Sequence, residues 1–277
     1  VLSFLILSNE WQALYDDPQA ALPPLDLTFR DYVLAELALR DSDGYRSSLE
    51  YWRGRVVTLP PAPDLPLAKN PRAVTTPHFT RRRKVMDGAT WRRLKANAAK
   101  AGVTPSVTLG SAYAQILDRW SRSKRFTLNL TLFNRLPVHD HVNHLVGDFT
   151  SLVLLAVDHE TPESFALRAS RWQKQLWRDL EHRQVNGVKV LEEWSRHLGR
   201  TATAPIVFTC AVGLQDELQH DRSGFGGWLG EVVYSVSQTP QVWLDHQAYE
   251  HGDDVVLSWD SVDELFGAGL LDDMFAA

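Results

Sequence analysis

This 277-residue chain predicts an α/β or α+β layered domain, on three observations. From residue 72 onward, strand-like stretches alternate with amphipathic stretches at the helical period. Residues that start and stop helices punctuate those stretches. With 44% of residues hydrophobic, a chain of this length can bury a real core.

The elements follow in order. Residues 4–15 and 28–40 read as helices, the second with Phe29, Tyr32, Val33, Leu37 and Leu39 near the 3.6-residue period. A third helix, about 43–55, carries Tyr45, Leu49 and Trp52 at spacings of four and three. Leu59 to Pro71 holds five prolines and can be neither helix nor central strand; it is the linker expected between residues 1–58 and 72–277. A strand at 78–86 precedes a helix at 88–101 that stops at Gly102. A helix at 105–121 starts with Thr104 as N-cap and Pro105 in its first position. Strands at 126–133 and 151–157 come next, then helices 162–182, opening on Thr161-Pro-Glu, and 187–198. Strands near 205–211, 231–238, 241–248 and 254–259 and a helix 263–275 complete the chain. No repeat or low-complexity tract is visible.

Composition excludes several function classes. The net charge of −5 gives no basic surface for nucleic acid, and Arg81-Arg-Arg-Lys84 reads as the solvated face or end of a strand. Of the ten Trp, some could line a cavity, although most Trp simply pack. The single cysteine, Cys210, rules out an internal disulfide and fits a reducing cytoplasm. No apolar run approaches the roughly 20 residues that cross a bilayer. The opening Val1-Leu-Ser-Phe-Leu-Ile-Leu has neither an initiator Met nor a basic flank. It is not a secretory signal, and the chain reads as starting in the middle of something.

The most informative segment is Ser237-Gln-Thr-Pro-Gln-Val-Trp-Leu-Asp-His-Gln247. On a strand, Gln241, Trp243, Asp245 and Gln247 share one face and Val242, Leu244 and His246 the other. A carboxylate, two amides and an indole together describe either the lining of a site or an ordinary edge strand with a solvated face. Other polar groups have simpler readings. His139, His141 and His144 lie in a polar loop with Asp140 and read as solvated rather than as zinc ligands. Cys210 reads as packing. A Cys210-His246-Asp245 nucleophile is disfavoured, since neighbours on a strand face opposite ways.

Several segments together resemble one family, the heterocyclization domains of nonribosomal peptide synthetases. They are the string at 237–247, Thr131-Leu-Phe-Asn-Arg-Leu-Pro-Val-His139, Leu145-Val-Gly-Asp-Phe-Thr-Ser-Leu-Val-Leu-Leu155 and Pro205-Ile-Val-Phe-Thr-Cys210, where the family usually has Ser in place of Cys210. The opening Leu22-Pro-Pro-Leu-Asp-Leu-Thr-Phe-Arg-Asp-Tyr-Val33 and the closing Leu270-Leu-Asp-Asp-Met-Phe-Ala-Ala277 are also similar to it.

The resemblance implies a chloramphenicol-acetyltransferase-like two-layer sandwich, the C-terminal lobe of a V-shaped condensation-type domain. Residues 1–58 would be the last helices of the N-terminal lobe. Ser3 resembles the Ser that closes a loop motif whose two aspartates would lie just upstream of residue 1. The same Asp spacing in Asp216 to Asp221 is a chance match, since the third residue after it is Gly224 rather than Ser.

The implied reaction is amide formation between a carrier-bound acyl donor and a carrier-bound Cys, Ser or Thr, followed by cyclodehydration to a thiazoline or oxazoline. The resemblance makes Asp245 the catalytic acid/base and Thr209 its partner. Gln241, Trp243, Gln247, Asn134, Gln238 and Ser237 are expected to line the site. Arg135, Asp148 and Thr150 are expected to brace it, with Asp148 pairing with Arg135. No cofactor or metal is expected on the chain itself, since substrates arrive on 4′-phosphopantetheine arms. The implied partners are peptidyl or aryl carrier domains, an adenylation domain and the missing N-terminal lobe, in siderophore or antibiotic assembly. Two alternatives stay open: a domain that forms only the amide, and a silent carrier-docking or scaffold module.

Overall fold

A computed structural model describes residues 2–213, 230 and 232–277. Among them, the chain builds helices α1 (Leu2–Asp16), α2 (Phe29–Leu39) and α3 (Asp43–Val56), strand β1 (Phe79–Met86), then α4 (Gly88–Lys100) and α5 (Pro105–Trp120). Strands β2 (Arg125–Phe133) and β3 (Thr150–Asp158), helices α6 (Phe165–Glu181) and α7 (Gly187–Leu198) and strands β4 (Ile206–Ala211), β5 (Leu244–His251) and β6 (Asp254–Val262) follow. Helix α8 (Leu270–Ala276) is last.

Local chemistry sets most of these boundaries. Thr28 and Asp31 form a reciprocal capping box on α2, and Thr104 caps α5 ahead of Pro105. Helix α6 starts three residues later than expected because the Ser164 hydroxyl accepts from Leu167 N and fixes the first turn there. The expected closing helix is split: a 3₁₀ turn covers Asp263–Leu265, and Gly269, at φ +78°, delays α8 to Leu270. The expected strand near 231–238 does not form in residues 232–238, which are irregular. Asp216 to Asp221 lies outside the described residues.

The six strands form one mixed sheet in the order β1-β6-β5-β4-β2-β3, parallel only at β2–β4 and β4–β5. Leu128, Leu130, Val153, Leu155, Phe208, His246 and Trp259 share one face by register. Helix α5 packs there, with Tyr113 stacked on Phe208 and His246. A Cβ on Gly110 would lie 2.6 Å from the Trp172 ring, so α5 and α6 approach as closely as only glycine permits. Helix α7 meets the opposite face at the β3 edge, where Gly187 abuts Leu152.

The proline-rich segment is a packed strap rather than a free linker. Leu59 and Leu65 are buried in the main core with Trp52 and Val56 of α3. Thr127 donates its N–H to Pro61 O (2.8 Å) and its hydroxyl to Pro60 O (2.6 Å), and Ala68 N donates to Leu265 O. Helix α2 instead packs in a smaller second cluster of Tyr32, Leu136, Val142, Leu145 and Phe149, and Ser3 of α1 hydrogen-bonds Gly147 in the same loop.

Candidate functional site

The face opposite His246 carries polar groups in register. In one row, Arg81 of β1 pairs with Asp260 of β6, Asp260 with Asp245 of β5, and Asp245 with Val207 of β4. In the next row Gln247, Thr209 and Thr131 are paired across β5, β4 and β2. Paired residues share a face, so the sheet alone brings Arg81, Asp260, Asp245, Gln247, Thr209 and Thr131 together.

Asp245 is buried, 7% exposed. Thr209 Oγ1 donates to Asp245 Oδ1 at 3.3 Å, and Gln247 Nε2 donates to Asp245 Oδ2 at 2.8 Å. The Thr131 and Thr209 hydroxyls lie 3.0 Å apart. Thr131 can therefore give its proton to Thr209 while Thr209 gives its own to Asp245. Burial raises the Asp245 pKa above the usual carboxylate range; the Gln247 amide opposes the rise and the nearby Asp260 adds to it. A carboxyl of this kind can hold a proton and release it at no great cost.

Asp260 has a different environment. It is fully buried and held bidentate by Arg81, Nε to Oδ1 at 2.7 Å and Nη2 to Oδ2 at 2.5 Å. Asp260 Oδ2 also accepts from Ser237 N at 2.7 Å and Gln247 Nε2 at 3.1 Å. Arg81 and Asp260 are the site residues that sequence reasoning missed. Arg81 was read as part of a solvated basic run, and the strand assigned to 254–259 stopped one residue short of Asp260. The available signal was Asp260 itself, an acid in step with Val256 and Val262 on one face of the strand. Only Arg83 and Lys84 of the basic run are exposed, whereas Arg82 pairs with Asp263 and Asp272.

The other expected site residues separate. Gln241 is not on the strand with Asp245: it is exposed at φ +68°, after Pro240, and Val242 N donates back to Thr239 O. Pro followed by a left-handed residue is the pattern of a type II turn, and that turn delays β5 to Leu244. Trp243 is half-buried against the main core. Ser237 joins the network through its backbone N–H on Asp260 and its side chain on Asp245, while Gln238 is exposed.

Asn134, Arg135, Asp148 and Thr150 lie elsewhere, at the second cluster. Asn134 O accepts from Tyr32 Oη and Asn134 N donates to Phe149 O. Arg135 does not pair with Asp148, and no ion pair joins them among the described residues. Its guanidinium donates to Val142 O, Leu145 O and Ser3 Oγ and stacks 3.8 Å from the Phe149 ring centroid. Asp148 caps Thr150 N at 2.9 Å, and the Thr150 hydroxyl and amide lower its pKa. Ser3 Oγ donates to Gly147 O and accepts from Gly147 N, tying α1 to the same loop.

His246 points away from Asp245. Its Nδ1 accepts from Trp259 Nε1 at 2.6 Å, and burial lowers its pKa to about 3, so it is a neutral core imidazole. Burial raises the pKa of the Cys210 thiol, which packs against the main core. No group of His, Cys, Asp and Glu suited to a metal ion occurs among the described residues. His141 Nδ1 accepts from Asp26 N, and His139 Nδ1 from His141 N. No helix among the described residues is long and apolar enough to cross a membrane.

Residues 1–225 match the family described as Condensation domain. The chain belongs to that family. This condensation-type chain is 39% identical over 276 residues to pyochelin synthetase PchF of Pseudomonas aeruginosa, covering 99% of the chain and 15% of the relative. It is 38% identical over 284 residues to phenyloxazoline synthase MbtB of Mycobacterium tuberculosis, covering 99% of the chain and 19% of the relative. It thus spans less than a fifth of either protein. Among solved structures, the EpoB nonribosomal peptide synthetase cyclization-docking bidomain of Sorangium cellulosum is 42% identical with a TM-score of 0.88, covering all of this chain and 56% of that one. The fold is the chloramphenicol-acetyltransferase-like one that condensation-type domains share, a mixed sheet with packed helices.

Proposed function

We propose that this condensation-type chain is a heterocyclization domain of a nonribosomal peptide synthetase. It forms an amide between a carrier-bound acyl group and a carrier-bound Cys, Ser or Thr, and then closes that residue's side chain into a thiazoline or oxazoline. The observation that carries the reading is the pair Thr209–Asp245: a buried carboxyl, raised in pKa, oriented by one hydroxyl and one amide. Ring closure needs both directions of proton transfer. Asp245 takes the proton of the thiol or hydroxyl as that atom adds to the amide carbonyl carbon. It returns that proton to the carbonyl oxygen, making a hydroxyl, and then passes to that hydroxyl the proton that the amide nitrogen loses, so that water leaves as the C=N bond forms. One group cycling between base and acid serves both steps.

Thr209 positions Asp245, with Thr131 behind it. In this reading the substrates arrive on 4′-phosphopantetheine arms of carrier domains beside an adenylation domain. Residues 72–277 form the C-terminal lobe, α3 packs into it, and α1 and α2 belong with the preceding lobe. The likeness to EpoB and to phenyloxazoline synthase supports the same chemistry.

The test is product mass. The full-length protein with donor and acceptor carriers loaded is expected to release a product one water lighter than the linear amide. A linear product only would point to an amide-forming domain, and carrier binding without turnover to a docking module. Either outcome overturns the proposal.

A further inference from the structure

We propose that Arg81 and Asp260 are positioning residues for the proton chemistry of Asp245, acting through the Gln247 amide. The inference rests on the ring-forming role proposed above for Asp245 and extends it to a strand that the sequence motifs leave out.

Gln247 sits between two carboxylates and a guanidinium. Its Nε2 donates to Asp245 Oδ2 (2.8 Å) and to Asp260 Oδ2 (3.1 Å), and its Oε1 accepts from Arg81 Nη2 (3.2 Å). Turning the amide over would aim its oxygen at two carboxylates and its N–H groups at a cation. Arg81 and Asp260 thus lock the one orientation that donates to Asp245.

The two aspartates divide the work by their partners. Asp260 accepts from Arg81 at both oxygens, and from Ser237 N and Gln247 besides, so its lone pairs are committed. Asp245 accepts from neutral donors, the Thr209 hydroxyl, the Gln247 amide and the Ser237 side chain, and no cation pairs with it among the described residues. Adjacent carboxylates buried without a cation share a proton rather than both ionising. Arg81 supplies that cation to Asp260 at both oxygens, and Asp245 has none. Among the described residues, the charged and titratable groups that act on Asp245 and this pair are Asp260 on β6, Arg81 on β1 and, beside Arg81, Tyr249 on β5, with Tyr113 of α5 on the opposite face of the sheet.

The experiment is the pH profile of ring formation and of amide formation in the full-length protein with loaded carriers. Arg81→Gln removes the cation, so the acidic limb of ring formation is expected to move to higher pH and the ring-to-linear ratio to fall about tenfold or more at neutral pH. Amide formation should keep its profile. Arg81→Lys keeps the charge and should return the limb towards the parent position. If Arg81→Gln does not fold, the double variant Arg81→Gln, Asp260→Asn removes the unpaired buried carboxylate. Its limb should lie below that of the parent, since Asp260 no longer raises Asp245, and its ring-to-linear ratio should still fall because the Gln247 amide is no longer locked.

A limb unmoved in Arg81→Gln, or in the double variant where only that folds, with an unchanged ring-to-linear ratio, overturns the proposal. So does an equal loss of both reactions with no pH shift, which is the sign of a merely structural pair. Asp245→Asn run in parallel separates the two ideas. If it abolishes ring formation while the Arg81 variants leave the limb in place, the clamp is wrong and the ring-forming reading stands. If Asp245→Asn also leaves ring formation unchanged, the underlying reading has failed.

Discussion

Thr209 tests the site at the smallest scale, because its hydroxyl is the only part of it that Asp245 uses. Thr209→Val keeps the shape and removes the donor. A hydrogen bond to a charged group is worth about 1.5–3 kcal/mol, so ring formation should fall by roughly ten- to a hundredfold, with amide formation nearly unchanged. Single-turnover kinetics on loaded carriers measure both. His246 gives a stability prediction of definite sign. The unfolded chain protonates His246 near its usual 6.5, the folded protein only near 3. Its contribution to stability is complete above about 6.5 and is lost as pH falls from there towards about 3. His246→Gln retains an acceptor for Trp259 and cannot take that proton. Its urea midpoint should therefore decline less steeply across this interval than the parent's. Equal slopes would remove His246 from the acid response.

At the scale of elements, the loop after β2 and the start of α2 act as one unit. The Phe29 and Tyr32 rings of α2 pack edge-on against Phe149, and a Cβ on Gly147 would lie 2.2 Å from Phe29. Gly147→Ala must displace that ring, at a cost of about 1–3 kcal/mol from overpacking. Equilibrium urea unfolding should show the loss, and a wild-type midpoint would mean that α2 is not seated there. This unit also shows what sequence can disclose. The motifs at 131–139 and 145–155 and the Phe-Arg-Asp-Tyr run were each legible, and so were most helix starts, since a cap is a local bond between residues three apart. The expected Arg135–Asp148 pair was not legible. Arg135 is satisfied by carbonyls, Ser3 and an aromatic face, none of which opposite charge in sequence can indicate.

For the whole molecule, the packing of the proline-rich strap and α3 could not be read from local sequence. Prolines exclude helix and central strand, but they do not exclude packing, and Leu59 and Leu65 carry the strap into the core with Trp52. Trp52→Ala should therefore cost about 3–5 kcal/mol across the entire unfolding transition. A separate early transition for residues 43–71 would contradict a shared core. The sheet explains the rest of what was hidden. Asp245 and Thr209 could be found from motifs, while Arg81 and Asp260 meet them only through strand order β1-β6-β5-β4, which joins residues 179 apart in the chain. Asp245→Asn in the full-length protein decides whether this sheet holds Asp245 as the proton carrier of ring closure. The side chain keeps its shape and loses the proton. Mass analysis of the carrier-bound product should show the linear amide, heavier than the ring by one water, formed at near the parent rate, with ring yield down by about 10²–10⁴-fold. Ring yield equal to the parent's would contradict the claim.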